Sequence, residues 1–165
     1  MTAAAGLRPY LPSDAGTLAD IFRASIAELA GDGYGEAQQA AWMATADDEE
    51  AFGEQLASKL TVVATIDGEP VGFATLKGKD TVDMLYVHPA VAGHGVGAQL
   101  IDALEKLAAA RGAKALTADA SDNALGFFEH RGFVSQQRNS VLCGDEWLAN
   151  TTVLKTLTPP TSSSE

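Results

Sequence analysis

The order of apolar and polar positions divides the chain into a helical first third and a remainder in which strands and helices alternate. After a short strand-like stretch at 6–13, apolar residues recur at near-helical spacing and predict a first helix. These residues are Leu18, Ile21, Phe22, Ile26 and Leu29. Two shorter helices are predicted at 36–44 and 48–58.

The apolar period then shortens to that of β-strands. Runs rich in β-branched residues predict three strands, at 61–66, 71–77 and 81–87. Asp67-Gly68 between the first two runs is a strong hairpin signal. An apolar stripe from Gly97 to Arg111 predicts an amphipathic helix. The remaining predicted elements are a strand at 114–120, a short helix capped by Ser121 and ended by Gly132, and two strands around Gly144-Asp145.

Composition narrows the class of protein and its partners. The 165 residues fit one domain, 46% of them are hydrophobic, and no apolar run is long enough to span a membrane. The N-terminus lacks the pattern of a signal peptide, so a soluble, cytoplasmic protein is expected. A net charge of -11 disfavours nucleic acid, because phosphate binding needs clustered Lys and Arg. The histidines have no metal-ligand spacing, and a single cysteine excludes an internal disulfide.

Three glycines alternate with other residues in "HPAVAGHGVGAQL", His88–Leu100, between a predicted strand and a predicted helix. The first N–H groups of a helix have no intrahelical partner, and glycines let an anion approach the backbone closely. Gly93, Gly95 and Gly97 therefore predict a phosphate or pyrophosphate site made of main-chain donors. His94 lies inside this loop and is a further candidate phosphate contact.

Two motifs compete for this loop. "GHGVGA", Gly93–Ala98, fits the dinucleotide fingerprint G-x-G-x-x-A, and Asp119 ends the next strand at a suitable distance. Antiparallel hairpin strands precede the loop, however, and one crossover follows it, which disfavours a dinucleotide-binding domain. A P-loop is excluded because the loop has no Gly-Lys-Ser/Thr.

The second motif is one that the chain shares with a known family. From Thr61 to Leu157 the chain resembles the GNAT superfamily of acetyl-CoA-dependent N-acetyltransferases, most of all a bacterial subgroup whose acceptors are often unassigned. The motif Gln/Arg-x-x-Gly-x-Gly/Ala of that family aligns with "AGHGVG", Ala92–Gly97. "ALGFFEHRGF" also matches the family ending A-x-x-x-Tyr-x-x-x-Gly-Phe at every place but one. The resemblance implies an α/β (α+β) fold, with a mixed, mostly antiparallel sheet splayed at the cofactor and helices on both faces.

The resemblance also sets the expected domain boundaries and partners. Residues 1–157 are expected to form one GNAT-like acetyltransferase domain, and the proline- and serine-rich 158–165 to be a disordered tail. No nucleic-acid or membrane partner is expected. Members of the family are often dimers, so a homodimer is one expectation, and the sequence leaves the oligomeric state open.

Three positions depart from the family pattern. Ala92 stands where the family usually has Gln or Arg, which removes a side-chain contact to the pyrophosphate and keeps the backbone donors. Phe128 stands where many members have a tyrosine that protonates the leaving thiolate, and phenylalanine has no proton to donate. Ser121 replaces the usual Asn seven residues earlier.

By resemblance, the function is transfer of the acetyl group of acetyl-CoA to a primary amine by direct attack. The pantetheine arm of acetyl-CoA would pair with backbone groups of the strand at 81–87, as an added strand does. The implied cofactor-binding residues are Leu85, Tyr86, Val87, Ala92, Gly93, His94, Gly95, Val96, Gly97, Ala98, Ser121, Ala124 and Phe128.

The catalytic and acceptor-binding candidates lie on either side of this motif region. Asp83 is the first candidate base, because the middle of an apolar strand is expected to bury it. Tyr86 is a candidate proton relay or acceptor wall, and His88 is expected to cap the turn that follows. Tyr34 and Trp42 are the candidate acceptor contacts, since by resemblance their region covers the acceptor site.

Two functions of other classes remain open at this stage. Ala92 and Phe128 are compatible with a non-catalytic acyl-CoA-binding module that acts as a sensor or partner domain. A dinucleotide-binding protein is a more remote alternative. The acceptor itself, a small molecule or a peptide amine, is not identified by the sequence. The acidic cluster at 47–50 is a weak hint of a cationic acceptor.

Overall fold

The computed structural model of the protein describes residues 5–29 and 33–157, and the tail predicted at 158–165 lies outside them. The helices are α1 (Ala15–Leu29), α2 (Glu36–Met43), α3 (Glu49–Ala57), α4 (Val96–Ala110) and α5 (Leu125–His130). The strands are β1 (Gly6–Pro9), β2 (Leu60–Ile66), β3 (Glu69–Lys77), β4 (Thr81–Val87), β5 (Ala115–Ser121), β6 (Val134–Cys143) and β7 (Glu146–Thr156). Within the described ranges, no helix is long and apolar enough to cross a membrane.

The seven strands form one sheet in the order β1-β2-β3-β4-β5-β7-β6. Every neighbouring pair is antiparallel except β4 and β5, which are parallel. This topology confirms the predicted mixed, mostly antiparallel sheet. A dinucleotide-binding domain needs repeated parallel β-α-β units, and one parallel pair does not supply them.

The hairpin between β2 and β3 forms at the predicted residues. Asp67 and Gly68 both have positive φ angles, 53° and 82°. Two successive residues with positive φ give the turn whose twist matches the flanking strands. The turn brings Ile66 opposite Glu69 and sets the register of the two strands.

Alternate residues of the central strands supply two separate apolar layers, one on each face of the sheet. Phe73 packs with α1 and α3, whereas its neighbour Ala74 packs with α4. Most of the stripe predicted on α4 is buried in the second layer, namely Leu100, Ile101, Leu104 and Ala108, and Leu107 is partly buried there. This arrangement confirms that helices cover both faces.

Two local predictions are corrected. The first strand stops at Pro9 rather than at residue 13, because Pro12–Asp14 forms a 3-10 turn that leads into α1. The short helix α5 starts at Leu125 and is preceded by Ala124, so Ser121 is not its cap. Ser121 instead ends β5, where it pairs with Asn150 of β7.

An ion pair fixes the path from β1 into α1. The guanidinium of Arg8 donates to both carboxylate oxygens of Asp14, at 2.7 and 2.9 Å, and the backbone N–H of Leu11 donates to the same group at 2.8 Å. The Asp14 side chain is 8% exposed. The hydrogen bonds from Arg8 therefore lower the pKa of Asp14, and burial opposes them.

Asp14→Asn is expected to lower the free energy of unfolding at pH 7 by about 1–3 kcal/mol, because Arg8 and Leu11 lose a charged acceptor. A lowered folded-state pKa stabilises the fold above the unfolded value of about 4. That contribution disappears as pH falls through the folded pKa. Urea unfolding of both proteins at pH 7 and pH 3 measures the difference, which should shrink at pH 3. Asp20→Asn, at an exposed ion pair with Arg23, is the control. An equal loss in the two variants would contradict the assignment.

Candidate functional site

A gap opens in the middle of the sheet between β4 and β5. These strands pair at Thr81↔Thr117 and Val82↔Ala118, and the pairing ends there. On the other side of β4, Val82 pairs with Leu76 and Met84 pairs with Thr75, so Asp83 is an extra residue in the strand. Such a bulge bends a strand and increases its local twist. The predicted splay of the sheet therefore begins at Asp83.

The glycine loop opens into a cavity of ≈ 480 Å³ at one end of this gap. Gly93 and Gly95 both have a φ of +84°, and no atom lies within 4 Å of the Cβ that either would carry. Gly95 is the N-cap of α4, and the N–H of Gln99 bonds to its carbonyl at 3.0 Å. The backbone N–H groups that come before this bond, including that of Gly97, have no partner within the helix. They can therefore bind an anion in the cavity.

The loop's two histidines have different positions. Nδ1 of His88 accepts a hydrogen bond from the N–H of Ala90 at 3.0 Å, so His88 caps the turn as expected. His94 is exposed, and its backbone N–H bonds to the carbonyl of Val91. Its side chain does not line the cavity. The lining includes Ala92, Gly93, Gly95, Val96, Gly97 and Ala98 of the predicted cofactor-binding set.

A second cavity of ≈ 450 Å³ lies on the side of the sheet covered by α1, α2 and α3. We call it the acceptor pocket because it is lined by Tyr34 and Trp42, the candidate acceptor contacts predicted from the sequence. Its walls also include Phe22, Phe52, Leu148 and Asn150. The gap shares Asp83, Tyr86 and Ser121 with this pocket. It shares Leu85 and Ala124 with the glycine cavity. The gap thus links the glycine cavity to a pocket that has several aromatic walls.

Tyr34 forms part of the pocket wall, and its hydroxyl is fully engaged. The side chain donates to the carbonyl of Ala149 at 2.6 Å and accepts from the N–H of Asp122 at 2.9 Å. Burial raises the pKa of Tyr34, so the hydroxyl remains a donor. Tyr34 therefore joins the segment before α2 to β7 and to the loop after β5.

Arg138 also holds this loop in place. Its guanidinium makes a two-point ion pair with the carboxylate of Asp122, at 2.5 and 3.0 Å, and donates to Thr151 at 3.1 Å. Nothing in the local sequence indicates Arg138 as a site residue. The pairing depends on the register between β6 and β7, which places Arg138 opposite Thr151.

Asp83 is at the mouth of the gap, in a different environment from the one expected. The prediction that its strand buries it is wrong, because the bulge leaves the residue exposed. Its carboxylate accepts a hydrogen bond from Nζ of Lys59 at 2.5 Å. Lys59 has no sequence signal either, since it follows α3 and lies 24 positions from Asp83. The role of Asp83 as a base stays a prediction.

Tyr86 and Phe128 line the gap together. The indole N–H of Trp42 donates to the hydroxyl of Tyr86 at 3.2 Å, and burial raises the pKa of Tyr86 well above its usual value. Phe128 is buried and packs edge-to-face against Phe127 and Phe133. The position at which the family pattern expects a tyrosine is therefore an apolar wall here.

Comparison with known proteins identifies the family. The family model described as acetyltransferase (GNAT) domain matches residues 30–147. The chain belongs to the GNAT family. It is 34% identical to the uncharacterized N-acetyltransferase YafP of Escherichia coli over 144 residues, which are 87% of this chain and 91% of that protein. The chain is thus an acyltransferase of this family.

Solved structures agree with the family assignment. The GCN5-related N-acetyltransferase "Aminotransferase, Class-II" of Rhodopseudomonas palustris is 58% identical, with a TM-score of 0.93 over 95% of this chain and 98% of that one. PaiA N-acetyltransferase of Thermoplasma acidophilum, solved in complex with coenzyme A, has a TM-score of 0.78 at 18% identity. It covers 93% of this chain and 99% of its own, and the likeness concerns the fold. The non-catalytic and dinucleotide-binding alternatives find no support in these comparisons.

Tyr34→Phe is expected to lower the free energy of unfolding by about 1–3 kcal/mol, because Ala149 and Asp122 lose a buried partner. Tyr10→Phe is the matched control, since the Tyr10 hydroxyl has no hydrogen-bond partner among residues 5–29 and 33–157. Urea unfolding at neutral pH compares the two variants with the parent protein. Equal stability of the two variants would contradict a structural role for the Tyr34 hydroxyl.

Proposed function

We propose that the protein transfers the acetyl group of acetyl-CoA to a primary amine by direct attack. One observation carries the proposal, namely the gap between β4 and β5 that connects the glycine cavity to the acceptor pocket. A donor with a charged end and a long, narrow arm suits the glycine cavity and the gap. An amine that enters from the pocket would meet the thioester inside the gap.

The glycine loop is the proposed site of the pyrophosphate of acetyl-CoA. Gly95 and Gly97 leave the amides at the start of α4 open to an anion, and the helix dipole adds positive potential there. Ala92 contributes no side-chain donor, so the backbone supplies the contacts in its segment. The coenzyme A complex of PaiA, which shares this fold, supports the choice of donor.

The unpaired edge of β4 is the proposed partner of the pantetheine arm. Beyond Val82, this edge no longer pairs with β5, and the chain around Leu85, Tyr86 and Val87 lines the gap and the glycine cavity. An extended chain with amides can add to such an edge as a further strand does. Ala124 and Phe128, at the start of α5 and within it, also line the gap, so they would contact the arm.

The lining of the acceptor pocket favours a cationic amine with an apolar arm. Asp83 and Asp119 line the pocket together with the aromatic walls, and no Lys or Arg does so among the described residues. Aromatic faces and carboxylates both attract an ammonium group. The acidic cluster at 47–50 does not belong to this lining and gives no support for a cationic acceptor.

Asp83 is the proposed general base. An ammonium must lose a proton before its nitrogen can attack, and a carboxylate at the junction of the pocket and the gap is placed to receive it. Lys59 holds one oxygen of this carboxylate, which fixes its orientation. Positioning of the amine and the thioester supplies the rest of the rate enhancement.

Gly95→Glu is expected to weaken acetyl-CoA binding at least tenfold, about 1.4 kcal/mol, because it places a carboxylate in the proposed pyrophosphate site. Gly68→Glu is the matched control, since Gly68 has a φ of +82° and equally open surroundings in the β2–β3 turn. Calorimetric titration with acetyl-CoA, with NAD as a second ligand, measures the affinities. Normal affinity in a folded Gly95→Glu protein would overturn the proposed site.

Asp83→Asn is expected to lower kcat about 100-fold and to change the acid limb of the pH–rate profile, because the amide cannot accept the proton. Asp119→Asn removes a carboxylate from the same pocket and is expected to leave that limb in place. Thiol release from acetyl-CoA, with spermidine, cadaverine and N-acetyl-lysine methyl ester as acceptors, provides the assay. An unchanged profile for Asp83→Asn would remove Asp83 as the base.

A further inference from the structure

The reaction proposed above needs a proton at the leaving sulfur, and Phe128 does not provide one. The acceptor pocket and the gap share six lining residues, Trp42, Asp83, Met84, Tyr86, Asp119 and Ser121. Among these six, Tyr86 and Ser121 carry a neutral hydroxyl. A hydroxyl oxygen can accept one proton while it donates another. Proton transfer between the two spaces is therefore limited to few side chains.

The hydroxyl of Tyr86 is held with its proton free. Nε1 of Trp42 donates to this oxygen at 3.2 Å, and no described residue accepts the phenolic proton. The ring itself is fixed by an edge-to-face contact with Phe22, at 4.7 Å between centroids, and by Phe73 at 5.8 Å. A fixed ring with an unused proton beside two cavities is a preorganised donor.

The surroundings of Tyr86 keep it neutral. Burial is the main cause of its raised pKa, and the neighbouring Asp83, Tyr34 and Cys143 act in the same direction, while the Trp42 hydrogen bond opposes them. A free phenolate is thus strongly disfavoured at neutral pH. Such a group is poorly suited to deliver a proton alone, and well suited to pass one on while it receives another.

We propose that the Tyr86 hydroxyl relays a proton from the attacking nitrogen to the leaving sulfur, in place of the hydroxyl missing at Phe128. This inference rests on the proposed acetyl transfer. The ammonium first loses one proton to the base, and the nitrogen then forms a bond to the acetyl carbon. When the carbon–sulfur bond breaks, its electron pair goes to sulfur. The remaining excess proton on nitrogen moves to the Tyr86 oxygen as the phenolic proton moves to sulfur. The products are the amide and the free thiol of coenzyme A, and Tyr86 ends neutral.

Trp42 is a positioning residue in this relay. Its indole N–H occupies a lone pair of the Tyr86 oxygen and so directs the phenolic proton away from the indole. The indole also lies 5.2 Å from the Tyr34 ring, between centroids, which holds it in place. A role confined to acceptor binding would act on KM for the amine, whereas a positioning role acts on kcat through Tyr86.

The central experiment compares Tyr86→Phe with Ser121→Ala in the full chain. We expect Tyr86→Phe to lower kcat at least 10-fold, with the acetyl-CoA Kd unchanged, because the ring is kept and the hydroxyl is lost. Ser121→Ala removes the other hydroxyl of the gap and is expected to lower kcat less than Tyr86→Phe does. Tyr10→Phe makes the same change outside the gap, the acceptor pocket and the glycine cavity, and it is expected to stay within about threefold of the parent. The acceptor is the amine of highest kcat/KM among spermidine, cadaverine and N-acetyl-lysine methyl ester. Thermal unfolding confirms that each variant is folded.

Two further variants separate the relay from a structural effect. Phe128→Tyr in the Tyr86→Phe protein restores a hydroxyl to the same gap, and kcat is expected to recover several-fold. Trp42→Phe is expected to lower kcat in the parent protein and to have no further effect on kcat in Tyr86→Phe. This non-additivity would not arise if Trp42 only packed against the acceptor.

The outcomes distinguish the relay from the reaction on which it rests. A Tyr86→Phe protein with kcat within twofold of the parent overturns the relay and leaves acetyl transfer standing. A large loss in Ser121→Ala with little loss in Tyr86→Phe overturns it in favour of the other hydroxyl. A parent protein that binds no acetyl-CoA and acetylates none of the amines overturns the proposed function and the relay together.

Discussion

The interruption of the β4–β5 pairing is the constraint on which the site depends. Parallel strands that stayed paired would satisfy each other's backbone groups and leave no edge inside the sheet. Here the pairs end at Val82 and Ala118, and the extra residue Asp83 bends β4 away. The same bulge that opens the gap also places the carboxylate of Asp83 in the lining of the acceptor pocket. One local irregularity thus creates both the gap and the proposed base position.

A sheet with an open middle needs support from outside the gap, and each face supplies it separately. Leu100 and Leu104 of α4 are buried against one face, and Leu18 and Phe52 are buried on the other. The loop beyond the gap has its own polar support in the pairing of Asp122 with Arg138 and Tyr34. Packing on the two faces and these polar contacts therefore support the two halves of the sheet, since β4 and β5 are not paired beyond Val82 and Ala118.

The substitution at Phe128 changes the chemistry of one wall and leaves its packing intact. Its ring belongs to a buried cluster with Phe127 and Phe133, where a hydroxyl would need a partner. On the facing wall, Tyr86 has a partner for its oxygen in Trp42 and keeps its proton available. In the proposed relay, the protic group has moved from the α5 side of the gap to β4, and the proton still reaches the same sulfur.

Elements whose signals are local could be predicted from the order of the residues alone. The Asp67-Gly68 turn, the apolar stripe of α4 and the glycine loop follow from spacing and from the φ angles that glycine permits. The resemblance to the GNAT family added the splay of the sheet and the candidate cofactor-binding residues around it. The partners of the polar side chains, in contrast, became known from the folded chain. Lys59 reaches Asp83 across 24 positions, and Tyr34 reaches Ala149 across 115. Such pairs depend on strand register and on helix packing, and these are set by the whole core rather than by any neighbouring residues.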